Sequence, residues 1–125
     1  MVKNIDKEMR SDLLPSLREI LKRRAPNSQC ISYKALANML NISTAPVIAT
    51  ITGLLETLID EDVKSGRPIL SALVVQKGKK GTRTIPRKGF YEKLHQLNVI
   101  VINDAFEERG WHENELEKLK MYYKK

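Results

Sequence analysis

Ile31-Ser32-Tyr33-Lys34-Ala35-Leu36-Ala37-Asn38-Met39-Leu40-Asn41-Ile42 is the stretch on which the fold turns. With Cys30 before it, its first residues predict a short extended piece over 30–33. Ser32 carries a side-chain oxygen that can accept from the unpaired N–H groups of a first helical turn. It therefore predicts the N-cap of a helix over 33–40, with Leu36, Ala37 and Leu40 on the apolar face. Asn41-Ile42-Ser43 breaks that helix. Ser43 or Thr44 caps the next one, and Pro46 fits its first turn, where a missing N–H breaks no bond. This second helix runs to about residue 63 with a buried stripe of Val47, Ile48, Ile51, Leu54, Leu55, Leu58 and Ile59. Gly66, after Lys64-Ser65, suits its C-terminal cap. Two helices joined by so short a turn have the helix-turn-helix arrangement.

Upstream, Ile5, Met9, Leu13, Leu17, Ile20 and Leu21 recur at helical spacing over 5–24. Pro15 predicts either a kink or the first turn of a second helix beginning near Ser11 or Asp12. Lys22, Arg23 and Arg24 fall in the last turn, where cations suit the helix dipole, and Ala25-Pro26-Asn27-Ser28 is a turn. Downstream, Ile69-Leu70-Ser71-Ala72-Leu73-Val74-Val75-Gln76 predicts a strand. Residues 77–88 predict a glycine-containing loop or hairpin, with Thr82-Arg83-Thr84-Ile85 returning as a second strand. Helices are expected over 90–97, 103–109 and 113–123. Gly110 separates the last two, and Trp111, Leu116, Leu119 and Tyr122 face inward. The expected class is mainly α with a small β-wing: a winged helix-turn-helix with additional C-terminal helices. One domain spans 1–125, with N-terminal helix or helices at 1–26, the core at 28–88 and a C-terminal helical extension at 89–125.

Charge supplies the functional signal. Lys77, Lys79, Lys80, Arg83, Arg87 and Lys88 stand together without a carboxylate, so residues 77–88 hold +6 of the chain's net +7. Such a single-signed cluster repels itself and is best tolerated where it meets an anion. The N-terminal MVKNIDKEMRSD lacks an apolar leader core, and no apolar run reaches the roughly 18 residues of a membrane span. The single cysteine, Cys30, excludes an intramolecular disulfide framework and a cysteine-rich zinc site, and reads as a small core residue. The expectation is a cytoplasmic protein without membrane contact.

Two segments together resemble the DNA-binding half of the alkylguanine–DNA alkyltransferases and their alkyltransferase-like relatives. Residues 31–42 are similar to the family's V-S-Y-x-x-[IL]-A-x-x-x-G-x, and Leu70-Ser71-Ala72-Leu73-Val74-Val75-Gln76 lies where the family has P-C-H-R-V-V before its wing. The overlap covers residues 28–85. Aligned on Val74-Val75, the family's nucleophilic cysteine falls on Ser71, its histidine on Ala72 and its arginine on Leu73. Alkyl transfer needs a thiolate activated by a neighbouring base, and neither group is present there. The resemblance thus implies the fold and duplex DNA as partner without that chemistry. Pro46 stands where the family inserts an arginine into the minor groove, so nucleotide flipping is not carried over.

The six cations of 77–88 are the expected phosphate contacts, with Gly78 and Gly81 letting the segment turn tightly. Ser32, Tyr33 and Lys34 at a helix start are expected to hold one phosphate through backbone N–H groups and hydroxyls, although Tyr33 reads equally well as core. Thr44 and Thr50 are the polar candidates on the second helix. Its outer residues Ser43, Thr44, Ala45, Ala49, Thr50 and Thr52 include no Arg, Asn or Gln for bidentate base contacts, so phosphate and shape should dominate over sequence. Its acidic end, Asp60-Glu61-Asp62, should point away from DNA. His95 and His112 lack metal-ligand spacing and read as surface or packing residues. Glu107, Glu108, Glu113, Glu115 and Glu117 read as solvated helix faces. The expectation is a non-enzymatic protein binding double-stranded DNA with no metal or cofactor; RNA fits the same phosphate contacts. The alternative is a protein-interaction module. Its basic loop would dock an acidic partner, and the aromatic C-terminal helix would form a partner or homodimer face.

Overall fold

The structure, a computed structural model, describes residues 2–42, 47–76, 86, 88–99 and 105–124, apart from the side chains of 2–12, 88, 105 and 106. The described residues are mainly helical, with a small two-stranded sheet. In chain order they form α1 (Val2–Arg24), a 3-10 turn (Ala25–Asn27), β1 (Ile31–Ser32), α2 (Tyr33–Met39), α3 (Val47–Ser65), a second 3-10 turn (Leu70–Leu73), β2 (Val74–Val75), α4 (Lys88–Gln96) and α5 (Ala105–Tyr122). The core gathers Leu17 and Leu21 of α1, Leu36 of α2, Ile51, Leu54, Leu58 and Ile59 of α3, Leu94 of α4 and Leu119 of α5 around Leu70 and Leu73. Phe90, Tyr91 and Trp111 tie α4 to α5, with ring centroids 5.2–6.2 Å apart in edge and tilted geometries. Such pairs contribute roughly 0.5–1.5 kcal/mol each beyond area burial.

Local chemistry sets the helix ends. Ser32 Oγ accepts the Ala35 N–H at 3.0 Å, the N-cap expected of it. At the far end of α2, Asn41 takes φ 58°, its N–H reaches Asn38 O at 3.1 Å, and the Ile42 N–H reaches Ala37 O at 3.0 Å. That paired closure satisfies carbonyls the helix would otherwise leave open, and it buries Ile42. Gly66, at φ 70°, ends α3 in the same way, with the Arg67 N–H on Asp62 O at 2.9 Å.

Several expectations need correction. Residues 69–76 are not one strand: Leu70–Leu73 form a 3-10 turn, and β2 is confined to Val74–Val75. Branched residues favour strands only weakly against tertiary context. Here side chains from α3 and α5 bind the backbone of the turn and fix it. β2 pairs with β1 in parallel, Ile31 opposite Val74 and Ser32 opposite Val75. The return strand expected over 82–85 lies outside the described residues. α1 runs through Pro15 as one helix, so no second helix begins near Ser11 or Asp12. Pro15 is exposed, so water can satisfy the carbonyl that lost its donor. α5 likewise runs through Gly110, where a glycine costs about 1 kcal/mol relative to alanine, and the inward residues on either side hold it. Ile48 and Tyr122, expected inward, are exposed, and Tyr123 is half-buried instead. Among the described residues no helix is long and apolar enough to cross a membrane.

Candidate nucleic-acid interface

The parallel register positions Ser32, Tyr33 and Lys34. Because Ser32 lies opposite Val75, the chain leaves both strands at the same end of the sheet. One exit leads into Tyr33 and Lys34 at the start of α2, the other through Gln76 into the basic segment 77–88. The chain rejoins the core at buried Pro86. Lys34 is exposed. Ser32 is half-buried with its oxygen engaged in the cap, and Thr50 is half-buried on α3. Tyr33 belongs to the core and borders a small void of about 40 Å³ with Thr52, Leu55, Glu56, Ile59, Gly89 and Phe90. Lys77, Lys79, Lys80, Arg83, Arg87 and Thr44 lie outside the described residues. Lys88 opens α4.

Buried polar residues anchor the turn that precedes the basic segment, and sequence reasoning missed them. Asp62, in the acidic end expected to point away from DNA, is 0% exposed. Its Oδ1 accepts from Arg18 Nη1 at 2.8 Å, and its Oδ2 from the Leu70 N–H at 3.1 Å. Arg67 Nε stands 3.2 Å from Oδ1, misaligned for a hydrogen bond. Arg18 also bonds Glu61 at 2.6 Å. Burial pulls the Arg18 guanidinium down, but its bonds to Asp62 and Glu61 outweigh this and hold it above its ordinary value. Glu115, expected on a solvated face, is 5% exposed and accepts the Ile69 N–H at 2.8 Å. His112, 2% exposed, places Nε2 2.8 Å from Ala72 O, so that nitrogen carries the donated proton. Ser71, the position aligned with the family's nucleophile, donates its hydroxyl to Leu55 O at 2.9 Å and is buried. Each residue from 69 to 72 is thus held by a partner on α3 or α5.

A spacing signal for these anchors was present. Asp62 follows Leu55 and Leu58 at helical intervals on the apolar stripe of α3, and His112 and Glu115 precede Leu119 likewise on α5. Of the remaining polar candidates His95, Glu107, Glu113 and Glu117 are exposed as expected, while Glu108 is half-buried. Cys30 is half-buried, and burial pushes its thiol up, away from the thiolate form. Among the described residues no group of His, Cys, Asp or Glu could hold a metal ion.

Burial raises the Glu115 carboxyl above the ordinary range; Asp62 adds to this, while the Ile69 N–H and Lys118, 3.9 Å away, oppose it. The folded chain therefore takes up this proton more readily than the unfolded chain. The associated stability is fully present below the unfolded pKa and is lost as pH rises through the folded one. In Glu115→Gln the amide oxygen can still accept the Ile69 N–H. The variant is expected to lose less stability than wild type as pH rises from about 4 to 8. Parallel thermal melts check this, and curves of identical pH dependence would remove Glu115 as the cause.

Comparison with protein-family models, curated proteins and solved structures finds no match to this chain.

Proposed function

We propose that the chain is a winged helix-turn-helix protein that binds double-stranded DNA without acting on it chemically. Its contacts run mainly to phosphates through Lys77, Lys79, Lys80, Arg83, Arg87 and Lys88, with Lys34 beside them. The parallel β1–β2 register carries this reading, because it starts the basic segment and α2 at one end of the sheet. The distribution of carboxylates supports it: no Asp or Glu occurs between Glu19 and Glu56, nor between Asp62 and Glu92. α2, the first half of α3 and the basic segment therefore offer a phosphate backbone no like charge of their own. In such a motif the first helix crosses the backbone and the second approaches the major groove. The exposed start of α3, Ile48 and Ala49, is apolar and small, which suits shape and phosphate contacts over base readout.

Fluorescence anisotropy against a random duplex of about 25 base pairs is the test. Binding in the micromolar range or tighter is expected, with a log–log salt slope of about −3 to −5. No binding at low salt would overturn the proposal. A protein partner is the second reading. It is favoured by Met121 and Tyr122, 64% and 53% exposed, beside a depression of about 440 Å³ that Pro68, Asn114 and Lys118 help to line.

A further inference from the structure

We propose a second phosphate-binding site outside the basic segment: Arg23 and Arg24 at the end of α1 grip a duplex backbone at one end of α2, and Lys34 grips it at the other. The site rests on the duplex-binding reading above and adds residues to it.

Charge balance gives the first reason. Between Glu19 and Glu56 the charged residues are Lys22, Arg23, Arg24 and Lys34. Some cations elsewhere are engaged: Arg18 with Asp62 and Glu61, Arg67 with Asp62, Lys93 with Asp60 at 3.0 Å. Lys64, Arg109 and Lys120 make no ion pair among the described residues but have carboxylates within four positions in sequence. Among the described residues Lys22, Arg23 and Lys34 make no ion pair. Arg24 reaches only a sulfur, with Nη2 3.9 Å from Met39 Sδ. Clustered cations with Glu19 as the one carboxylate lining the groove beside them repel one another, and a bound polyanion relieves that repulsion.

Placement gives the second reason. Arg24 crosses from α1 to the last residue of α2, Met39. Beside it a groove of about 400 Å³ runs between α1 and the end of α2, with Ser16, Arg23 and exposed Asn41 as polar lining. Glu19, one turn before Arg23, bounds this surface on the α1 side. Lys34 stands at the opposite end of α2 beside the sheet exit. The seven residues of α2 span about 10 Å at 1.5 Å each. That length lets cations at its two ends reach different phosphates of one strand. A first helix carrying cations at both ends is thus fitted to cross a backbone, as helix-turn-helix geometry requires.

The test titrates Arg23→Ala/Arg24→Ala against a random duplex of about 25 base pairs over a salt series, beside wild type. The double variant is expected to bind about tenfold to a hundredfold more weakly near 0.1 M salt, with a slope shallower by about two. Arg23→Ala alone should flatten the slope by about one, and its exposed side chain has no bonded partner among the described residues whose loss would unfold the chain. Unchanged binding in both variants while wild type binds would overturn this site and leave the duplex-binding reading standing. Weaker binding at an unchanged slope would overturn it equally, since that reports a displaced element and not lost phosphate contacts. No salt-dependent binding by wild type would overturn the reading itself.

Discussion

Asp62→Ala is expected to lower folding stability by about 2–4 kcal/mol, because it removes a buried carboxylate from two partly covered cations and leaves the buried Leu70 N–H without its acceptor. In a chain of this size that corresponds to a fall of roughly 10–20 °C in Tm. The magnitude follows from what the carboxylate holds. Its oxygens meet Arg18 from α1, Arg67 from the loop after α3 and the Leu70 N–H of the 3-10 turn. Arg18, 19% exposed, would then keep Glu61 alone as its partner. Asp62→Asn should be milder, because the amide oxygen can still accept one of these donors. Thermal unfolding of both variants measures the effect. A loss under about 1 kcal/mol in Asp62→Ala would mean that water replaces the carboxylate and that the network is not an anchor.

Such anchors mark where sequence reading stops. The start of α2, its closure at Asn41, the stripe of α3 and the cap at Gly66 were legible, because each depends on residues a few positions apart. The 3-10 turn was not. Ile69-Leu70-Ser71-Ala72-Leu73 has strand-like composition, and it bends because Asp62 at the end of α3 and the far more distant Glu115 and His112 bond its backbone. A carboxylate is ordinarily solvated, so the helical spacing that sets Asp62 and Glu115 on apolar faces is easily read as a solvated face. The continuity of α1 through Pro15 and of α5 through Gly110 failed to show for a related reason: local penalties of a few kcal/mol yield to packing on the helix face. The parallel pairing of β1 with β2 was also beyond local patterns, yet it brings the start of α2 and Gln76, the residue before the basic segment, to one end of the sheet. Of the candidate site, the cations were legible as residues and their common origin was not.

Reversing Lys79, Lys80 and Arg83 to Glu is expected to weaken duplex binding by about a thousandfold near 0.1 M salt. Each lost contact removes close to one counterion released on binding, which is worth about tenfold at that salt. The three new carboxylates then bring repulsion into a stretch that has none between Asp62 and Glu92. The fold should tolerate the change, since the anchors of the preceding turn lie on α3 and α5 and involve none of these residues. The most direct measurement is a side-by-side anisotropy titration of wild type and this triple variant on one duplex across a salt series, with a thermal melt of each. Duplex binding is expected to vanish in the variant while its melting temperature stays within a few degrees of wild type. Equal affinity and equal salt slope in the two proteins would contradict the central claim that segment 77–88 meets the phosphate backbone.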